Sequence, residues 1–465
     1  MIDAIKNIFN IPDLRKRVIF TFLMLTVYRV GGHIPVPGIN FHALESFFRQ
    51  QGGGLLGFLD LFSGGNLSRL TVFALGIMPY ISASIILQLL TVVWPYLEKL
   101  SKEGEVGRKK ITQYTRYGTV VLSVIQAFGI SVWLESMGAG GAAGGVVSQP
   151  GWAFRLMTVL TLTTGTAFIM WIGEQISERG IGNGISLIIY AGIVSGLPSA
   201  INSLYQDVVV TGSMNILTVL LLLVAMVVVI GVIVWVERAQ RRIPVQYARR
   251  VVGRRMYGGM QTHMPLRLNT GGVIPVIFAS SLLAFPLTIM QWLGLQEKPG
   301  WDTLYRQIDY SMPLNYLLYF VAIIFFCYFY VSIIFNPMDV ADNMKKFGGF
   351  IPGIRPGRRT AEYLDNILTR LTFVGAIYLG LIALLPQVLI SGLNVQALPW
   401  IGPTVDRIVP DFLTQGLGLK FFFGGTSLLI VVGVAMDTIQ QVESQLIMRH
   451  YDGFLKGGRI RGRRG

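Results

Sequence analysis

Long apolar runs recur along this 465-residue chain and constrain its fold more than any single motif. Most of them approach the ~20 residues that a helix needs to cross a hydrocarbon core of ~30 Å. Hydrophobic residues make up 52% of the chain and charged residues only 14%, which is too few charges for the surface of a water-soluble globule. The runs are, with approximate ends, residues 18–30, 70–94, 120–137, 152–172, 185–201, 216–235, 273–292, 314–335, 371–390 and 421–436. The sequence therefore predicts an all-α polytopic membrane protein with ten transmembrane helices.

Lysine and arginine are distributed unevenly between these runs. They concentrate on the side that both termini share, in residues 99–116, 238–267, 345–370 and 449–464. Cytoplasmic loops of membrane proteins carry such an excess of positive charge. We therefore expect both termini and the long basic loops to be cytoplasmic. Residues 1–17 lack a signal-peptide cleavage pattern, and we expect them to lie along the membrane surface as an amphipathic segment.

The second run follows a segment that cannot cross a bilayer by itself. Residues 55–69 are too short and too rich in Gly and Ser, and Pro79 stands near the start of the next apolar stretch. Irregular backbone at membrane depth is tolerated only where protein or a water-filled cavity satisfies its polar groups. Ile77 and Ile81 lie four residues apart and hence on one face of a helix. The pattern predicts a short half-helix beside a conduit.

The spans carry almost none of the chemistry that a transporter or an enzyme requires. Ionisable residues in or beside them are few, namely Arg29, Glu174 and Asp437, whereas coupled transporters usually hold charges inside the bilayer. The single cysteine, Cys327, has no partner for a disulfide, and the four histidines show no metal-ligand spacing. Nucleophile elbows and phosphate-binding loops are also missing from the sequence. We predict a non-enzyme without catalytic, cofactor-binding or metal-binding residues, and a secondary transporter of a small solute is the alternative.

Several long motifs occur in an order that is typical of one family. They are MPYISASIILQLL, GIGNGIS, THMPLRLN followed by GGVIPVIFASS, IPGIRPG and FGGTSLLIVVG. Together they resemble the SecY/Sec61-alpha family of protein-conducting channels over essentially the whole chain. The resemblance implies two inverted five-helix halves around a central hourglass pore, made of residues 18–203 and 204–446. A basic cytoplasmic tail, residues 447–465, would follow.

The resemblance also implies where the working parts of the channel lie. The implied pore ring consists of Ile77, Ile81, Ile185, Ile189, Ile277 and Ile430. The implied plug, residues 55–69, includes Leu55, Phe58, Leu61, Phe62, Ser63, Gly64, Gly65, Ser68 and Arg69. The implied lateral gate includes Ser82, Gln126 and Ser281. Aliphatic side chains suit a polypeptide conduit because they offer no hydrogen bonds and dewet when the pore is empty. The glycines of the plug would keep it weakly attached.

The basic loops would supply a surface for partners. Alternating residue types in 243–247 and 264–268 predict a short hairpin between the sixth and seventh spans. Arginines near its tip are Arg249, Arg250, Arg254 and Arg255, and Arg355 lies in the second loop between Gly/Pro pairs that would stiffen its turn. In the family such loops dock the SecA motor ATPase or the RNA of the ribosome.

The resemblance implies further partners and a location. SecE and SecG subunits would accompany the chain in the bacterial inner membrane. Signal sequences and unfolded nascent polypeptides would be its substrates, crossing the membrane or leaving sideways into membrane lipid.

Simpler interpretations stay open for single features. An isoleucine in a membrane helix usually faces lipid or a neighbouring helix, and small residues let helices pack closely. Residues 55–69 could form an ordinary re-entrant loop, and Gln126 could join two helices without gating anything. The arginines could mark inward topology alone.

Overall fold

The computed structural model describes residues 11–51, 55–139, 146–210, 212, 216–247, 250–252, 255–257, 261–292, 294–295, 298, 300–309, 312–393 and 425–457. The chain divides into two compact units. The first comprises Met1–Ser203, Pro286–Asp302 and Val434–Gly465. The second comprises Leu204–Phe285 and Thr303–Gly433. The predicted plug lies in the first unit, and the basic loops 238–267 and 345–370 both lie in the second.

Helices form most of the described chain. Before residue 211 they are α1 (Pro12–Gly31), α2 (Phe41–Gln51), α3 (Leu55–Ser63), α4 (Met78–Val93), α5 (Pro95–Lys102), α6 (Glu105–Ala139), α7 (Trp152–Arg179) and α8 (Gly184–Tyr205), which a π-helical turn follows at Gln206–Val210. After it they are α9 (Ile216–Arg238), α10 (Ile274–Trp292), α11 (Trp301–Ile308), α12 (Pro313–Ile334), α13 (Pro337–Lys346), α14 (Arg358–Ser391) and α15 (Gly425–Gly457). Among the described residues, 8 helices are long and apolar enough to cross a membrane, or up to 9 if the bent pair α4 and α5 is one span. The prediction of an all-α polytopic membrane protein is confirmed.

Two predicted spans differ from the observed helices. The first, residues 18–30, lies within α1, which begins at Pro12 and therefore includes charged residues of the predicted surface segment 1–17. Those charges, Arg15, Lys16 and Arg17, explain why α1 is not among the 8 helices that are apolar enough to cross a membrane. The second, residues 70–94, is helical only over Met78–Val93, and the residues before it form turns. Helices α4 and α5 then meet at an angle of 98° at Pro95, which lacks the N–H that would continue α4.

A buried apolar core holds the first unit together. Helix α6 packs against α4 and α7, and α1 packs against α7. Leu134 and Leu162 are completely buried in this core, which also includes Leu70 from the turns before α4. An added Cβ at Gly165 of α7 would lie only 2.0 Å from the carbonyl oxygen of Val72. The turns before α4 are therefore part of the core and contact a span directly through their backbone.

The second unit carries a small sheet outside its spans. Its strands are β1 (Gln240–Tyr247), β2 (Arg250–Val252), β3 (Arg255–Tyr257), β4 (Gln261–Arg267) and β5 (Gly349–Phe350). Strand β1 pairs antiparallel with β4, from Gln240 opposite Arg267 to Gln246 opposite Gln261, and pairs on its other edge with β5. The predicted hairpin is thus present, and it is joined to the second basic loop. Strands β2 and β3 form a separate antiparallel pair.

Two of the four predicted docking arginines of the hairpin lie in this separate pair. Arg250 begins β2 and Arg255 begins β3. Arg249 and Arg254 lie outside the described residues. Below the sheet, Ile243, Leu266 and residues of α14 form an apolar cluster that fixes the base of the hairpin.

Candidate functional site

Four of the six predicted pore-ring isoleucines lie in the first unit. Ile77 directly precedes α4, and its carbonyl oxygen accepts a hydrogen bond of 3.1 Å from the backbone N–H of Ile81. These two residues are therefore one turn apart on a single face. Ile185 and Ile189 are one turn apart on α8. Ile77, Ile81 and Ile189 are buried, and Ile185 is half-buried.

The other predicted ring residues and part of the gate lie in the second unit. Ile277 of α10 and Ile430 of α15 are both buried there, as is the gate residue Ser281. Ser82 of α4 is half-buried and Gln126 of α6 is buried in the first unit, where these two helices pack together. The ring and the gate stay predictions.

Helix α3 ends in a turn formed by two glycines. Gly64 and Gly65 follow Ser63 with positive φ values of 73° and 79°. This left-handed conformation is accessible to glycine at little cost and commonly ends a helix. The backbone N–H of Gly65 donates to the carbonyl of Asp60 over 2.8 Å. The predicted plug is therefore a nine-residue helix followed by a turn, not one half-helix over residues 55–69. Leu55, Phe58 and Leu61 lie on the helix, and Arg69 is exposed beyond it.

Polar side chains within the segment fix this turn, which we call the plug turn (residues 63–68). One carboxylate oxygen of Asp60 accepts a 2.8 Å hydrogen bond from the backbone N–H of Ser68 and one of 3.5 Å from the Ser63 hydroxyl. The Ser63 hydroxyl oxygen in turn accepts from the backbone N–H of Leu67 over 3.1 Å. Burial raises the pKa of Asp60, and the hydrogen bonds from Ser68 and Ser63 only partly oppose that effect.

Two consecutive residues of α1, Tyr28 and Arg29, tie the plug turn to that helix. The Tyr28 hydroxyl donates to the carbonyl of Ser63 over 3.1 Å, and the guanidinium of Arg29 donates to the carbonyl of Gly64 over 3.3 Å. The side-chain amide of Asn66 donates to the same Ser63 carbonyl over 2.5 Å and to the Tyr28 hydroxyl over 3.4 Å. Ser63 and Asn66 are buried. The prediction that the glycines leave the segment weakly attached therefore does not hold at its C-terminal end.

The plug turn also packs against two other parts of the first unit through backbone atoms. An ideal Cβ on Gly64 would lie 2.8 Å from the Cα of Gly192 on α8. An ideal Cβ on Gly76, in the turn before α4, would lie 3.4 Å from the Cα of Ser63. The 2.8 Å approach at Gly64 is possible only because this residue has no Cβ, whereas the distance at Gly76 is an ordinary van der Waals contact.

Both of these contacts lie beside predicted ring residues. Gly76 directly precedes Ile77, and Gly192 lies three residues after Ile189 on the same face of α8. The structure therefore brings the end of the short helix next to both isoleucine pairs of the first unit.

Sequence reasoning missed several residues of this arrangement. Tyr28, Asp60, Asn66 and Gly192 were not among the predicted site residues, although each makes one of the contacts that position the turn. A polar Tyr-Arg pair at the end of an apolar run was the available signal for α1. Nothing in the sequence links that pair to a segment 35 residues later.

A second fixed turn presents Arg355 on the second basic loop. Gly353 and Gly357 have positive φ values of 80° and 102°, and the Thr360 hydroxyl donates to the carbonyl of Arg355 over 3.0 Å. Ile351, four residues earlier, is buried in the cluster beneath the sheet. The Arg355 side chain is exposed. Its backbone is therefore held while its guanidinium faces solvent, as the flanking Gly/Pro pairs predicted.

Comparison with known proteins places these features in a family. The model of the SecY family matches residues 71–439. The chain is 48% identical to the protein translocase subunit SecY of Escherichia coli (strain K12), over 97% of this chain and 96% of that protein. It is 47% identical to the corresponding subunit of Pseudomonas aeruginosa, with the same coverage, and 47% identical to that of Streptomyces coelicolor, over 98% and 100%.

Solved structures share the fold. The structure of a protein conducting channel matches with a TM-score of 0.62 at 18% identity, covering 93% of each chain. Sec61 in the canine ribosome-channel complex from the endoplasmic reticulum matches with a TM-score of 0.60, also at 18% identity and 93% coverage of each chain. With relatives nearly half identical over almost its whole length, the chain belongs to the SecY family of protein translocase subunits.

Proposed function

We propose that this chain is the pore-forming subunit of a protein translocation channel and that six isoleucines form its constriction. Its family consists of protein translocase subunits, and its fold is that of protein-conducting channels. The constriction would be Ile77, Ile81, Ile185, Ile189, Ile277 and Ile430. Branched apolar side chains would contact a passing polypeptide without binding it and would exclude water when the pore is empty.

One observation carries the assignment of the plug. The plug turn contacts the backbone at Gly76 and Gly192, next to the isoleucine pairs of α4 and α8. A short helix held there can cover the constriction from one side. Displacement of α3 would then open the path for a polypeptide, because the helix itself is only nine residues long and is not a span.

We further propose that Ser82, Gln126 and Ser281 take part in a lateral gate. Interhelical hydrogen bonds between small polar groups in membranes are worth roughly 1 kcal/mol each. Such bonds favour closure yet yield to the apolar surface of a signal sequence. Transmembrane segments would leave through this gate into lipid.

The cytoplasmic face would be the docking surface. Its orientation follows from the excess of Lys and Arg in the loops 238–267 and 345–370 and in the tail. Arg249, Arg250, Arg254, Arg255 and Arg355 would bind carboxylates of a SecA-type motor or phosphates of ribosomal RNA. SecE and SecG subunits would complete the channel in the bacterial inner membrane, with both termini of this chain in the cytoplasm.

Substitution of a ring residue tests the proposal. Ile81→Asn should hydrate the constriction, raise the resting ion conductance of the reconstituted channel and let precursors with weak signal sequences cross. Ile86→Asn is the matched control, because Ile86 lies on the same helix but is 45% exposed. Equal conductance and equal signal stringency in the two variants would remove Ile81 from the constriction.

Deletion of residues 57–67 tests the plug in the same assay. The shortened channel should insert and should leak ions at rest. Because the deletion also removes the buried Ser63 and Asn66, thermal unfolding of the purified protein must be measured beside it. A stable, inserted deletion variant with the resting conductance of the intact channel would refute the plug assignment.

A further inference from the structure

We propose that Tyr28 and Arg29 of α1 form a latch that keeps the plug closed by capping the C-terminal end of α3. The inference rests on the proposed role of residues 55–69 as the plug. It assigns the closing force to two side chains of α1, which lie outside the plug segment.

The end of a helix is a natural target for such a latch. The last carbonyl groups of a helix have no partner within it, and together they carry a partial negative charge. At α3 the carbonyls of Ser63 and Gly64 are the ones that the Tyr28 hydroxyl and the Arg29 guanidinium reach. A neutral donor and a cation of the neighbouring helix α1 thus satisfy the end of the short helix.

The Tyr28 ring is held in place before it meets the plug. It stacks on Phe73 with a distance of 5.8 Å between ring centroids, and Phe73 stacks on Phe168 of α7 at 6.1 Å. An added Cβ at Gly31 would lie 2.1 Å from the Phe73 ring, so this stack needs a glycine on the next turn of α1. Because the ring is already ordered, the hydroxyl loses little freedom when it binds the plug turn.

The remaining contacts of the plug turn favour a latch that can open. The hydrogen bonds of Asp60, Ser63 and Ser68 lie within the segment and can move with it. Contact with Gly192 involves no side chain on either partner. The hydrogen bonds that Tyr28 and Arg29 donate, together with the one that the Asn66 amide donates to the Tyr28 hydroxyl, are therefore the polar connections that must break when the turn leaves α1.

Conservative substitutions separate the latch from general folding. Tyr28→Phe keeps the aromatic stack and removes only the hydroxyl, and Arg29→Gln removes the charge whereas Arg29→Lys keeps it. Thr26→Val is the control, because the Thr26 hydroxyl donates to Phe22 of its own helix and is exposed. Each variant is reconstituted with its partner subunits, and resting ion conductance is measured without a precursor. Plug position is measured as the alkylation rate of a cysteine at the buried position Phe62 in a Cys327→Ser background.

Loss of one such hydrogen bond should raise the open-plug population about fivefold in Tyr28→Phe, and loss of the charged donor should raise it roughly tenfold in Arg29→Gln. Conductance and alkylation should rise together, Arg29→Lys should restore most of the closure, and Thr26→Val should match the unmodified channel. The midpoint of thermal unfolding should stay unchanged in all four variants.

The latch and the plug can fail separately. If deletion of residues 57–67 causes a leak but Tyr28→Phe and Arg29→Gln leave conductance and alkylation unchanged, the latch is refuted and the plug is retained. If the deletion causes no leak, the plug assignment fails, and alkylation alone decides whether α1 holds the end of α3. Faster alkylation with a lowered unfolding midpoint would assign Tyr28 and Arg29 to general stability instead and would overturn the proposal.

Discussion

Alanine substitution at Gly64 and Gly65 separates backbone strain from packing at the plug turn. Both residues have positive φ values, 73° and 79°, so a Cβ costs each of them roughly 1–2 kcal/mol. Only at Gly64 does the Cβ also meet another helix, 2.8 Å from the Cα of Gly192, whereas at Gly65 no atom lies within 4 Å. Overpacking of this kind adds roughly 1–3 kcal/mol.

The difference between the two variants measures what the contact with α8 contributes to closure. Since each 1.4 kcal/mol changes a population about tenfold, Gly64→Ala should raise the open-plug population at least about fivefold more than Gly65→Ala does. The assay is resting conductance of the reconstituted channel in planar bilayers without a precursor. Gly192→Ala, whose Cβ would lie 3.4 Å from Gly64, should have a smaller effect. Equal conductance of Gly64→Ala and Gly65→Ala would show that the Gly64–Gly192 contact does not hold the plug.

Two further predictions concern charged groups. Arg355→Glu should abolish motor-driven translocation of a precursor into vesicles while leaving membrane insertion intact, and Arg355→Lys should rescue translocation only in part because an ammonium cannot form a bidentate contact. Arg359→Glu is the control, because Arg359 is an exposed neighbour on α14. Normal ATP-driven translocation by Arg355→Glu would contradict the docking role. Because burial raises the pKa of Asp60, its carboxyl group binds a proton more readily in the closed plug turn than a free carboxyl group does. The stability of the closed plug turn is therefore highest at low pH and falls as pH rises from about 4 through the raised pKa. Resting conductance should therefore increase over that range, and Asp60→Asn should remove the dependence; a pH profile that Asp60→Asn leaves unchanged would assign it to another group.

The membrane-spanning architecture was predictable from composition and run length, because burial in lipid requires about 20 apolar residues whatever the partner helices are. Helix ends were less predictable. Residues 70–77 are apolar enough to extend α4, yet they form turns with Leu70 at φ 37° and Gly76 at φ 56°. Apolar residues are found in buried turns as well as in buried helices, so composition alone does not locate the helix start. Pro79 lies in the first turn of α4, but the sequence does not show that the helix begins there rather than bends there.

The parts of the site differ in the same way. The stiff turn at Arg355 was predictable, because Gly and Pro dictate local backbone geometry. The attachment of the plug was not, because it depends on hydrogen bonds between residues 35 apart, such as Tyr28 and Ser63. Glycine at positions 64 and 65 suggested freedom of movement, whereas at Gly64 its small size permits close contact with α8. A glycine in a sequence allows either outcome, and only the neighbouring element decides between them.

Strand β1 has a mechanical consequence for the two basic loops. It is joined to the seven-residue strand β4 on one edge and to the two-residue strand β5 on the other. Because β1 and β4 both belong to the first loop, the two loops are coupled only weakly by strand pairing, through the two residue pairs between β1 and β5, and further by the apolar cluster that contains Ile243 and Ile351. Under a small load they move as one lever, and under a large load the short joint to β5 yields first. A load applied to one loop thus reaches the other through the pairing at Gly349 and Phe350 and through the apolar cluster beneath it.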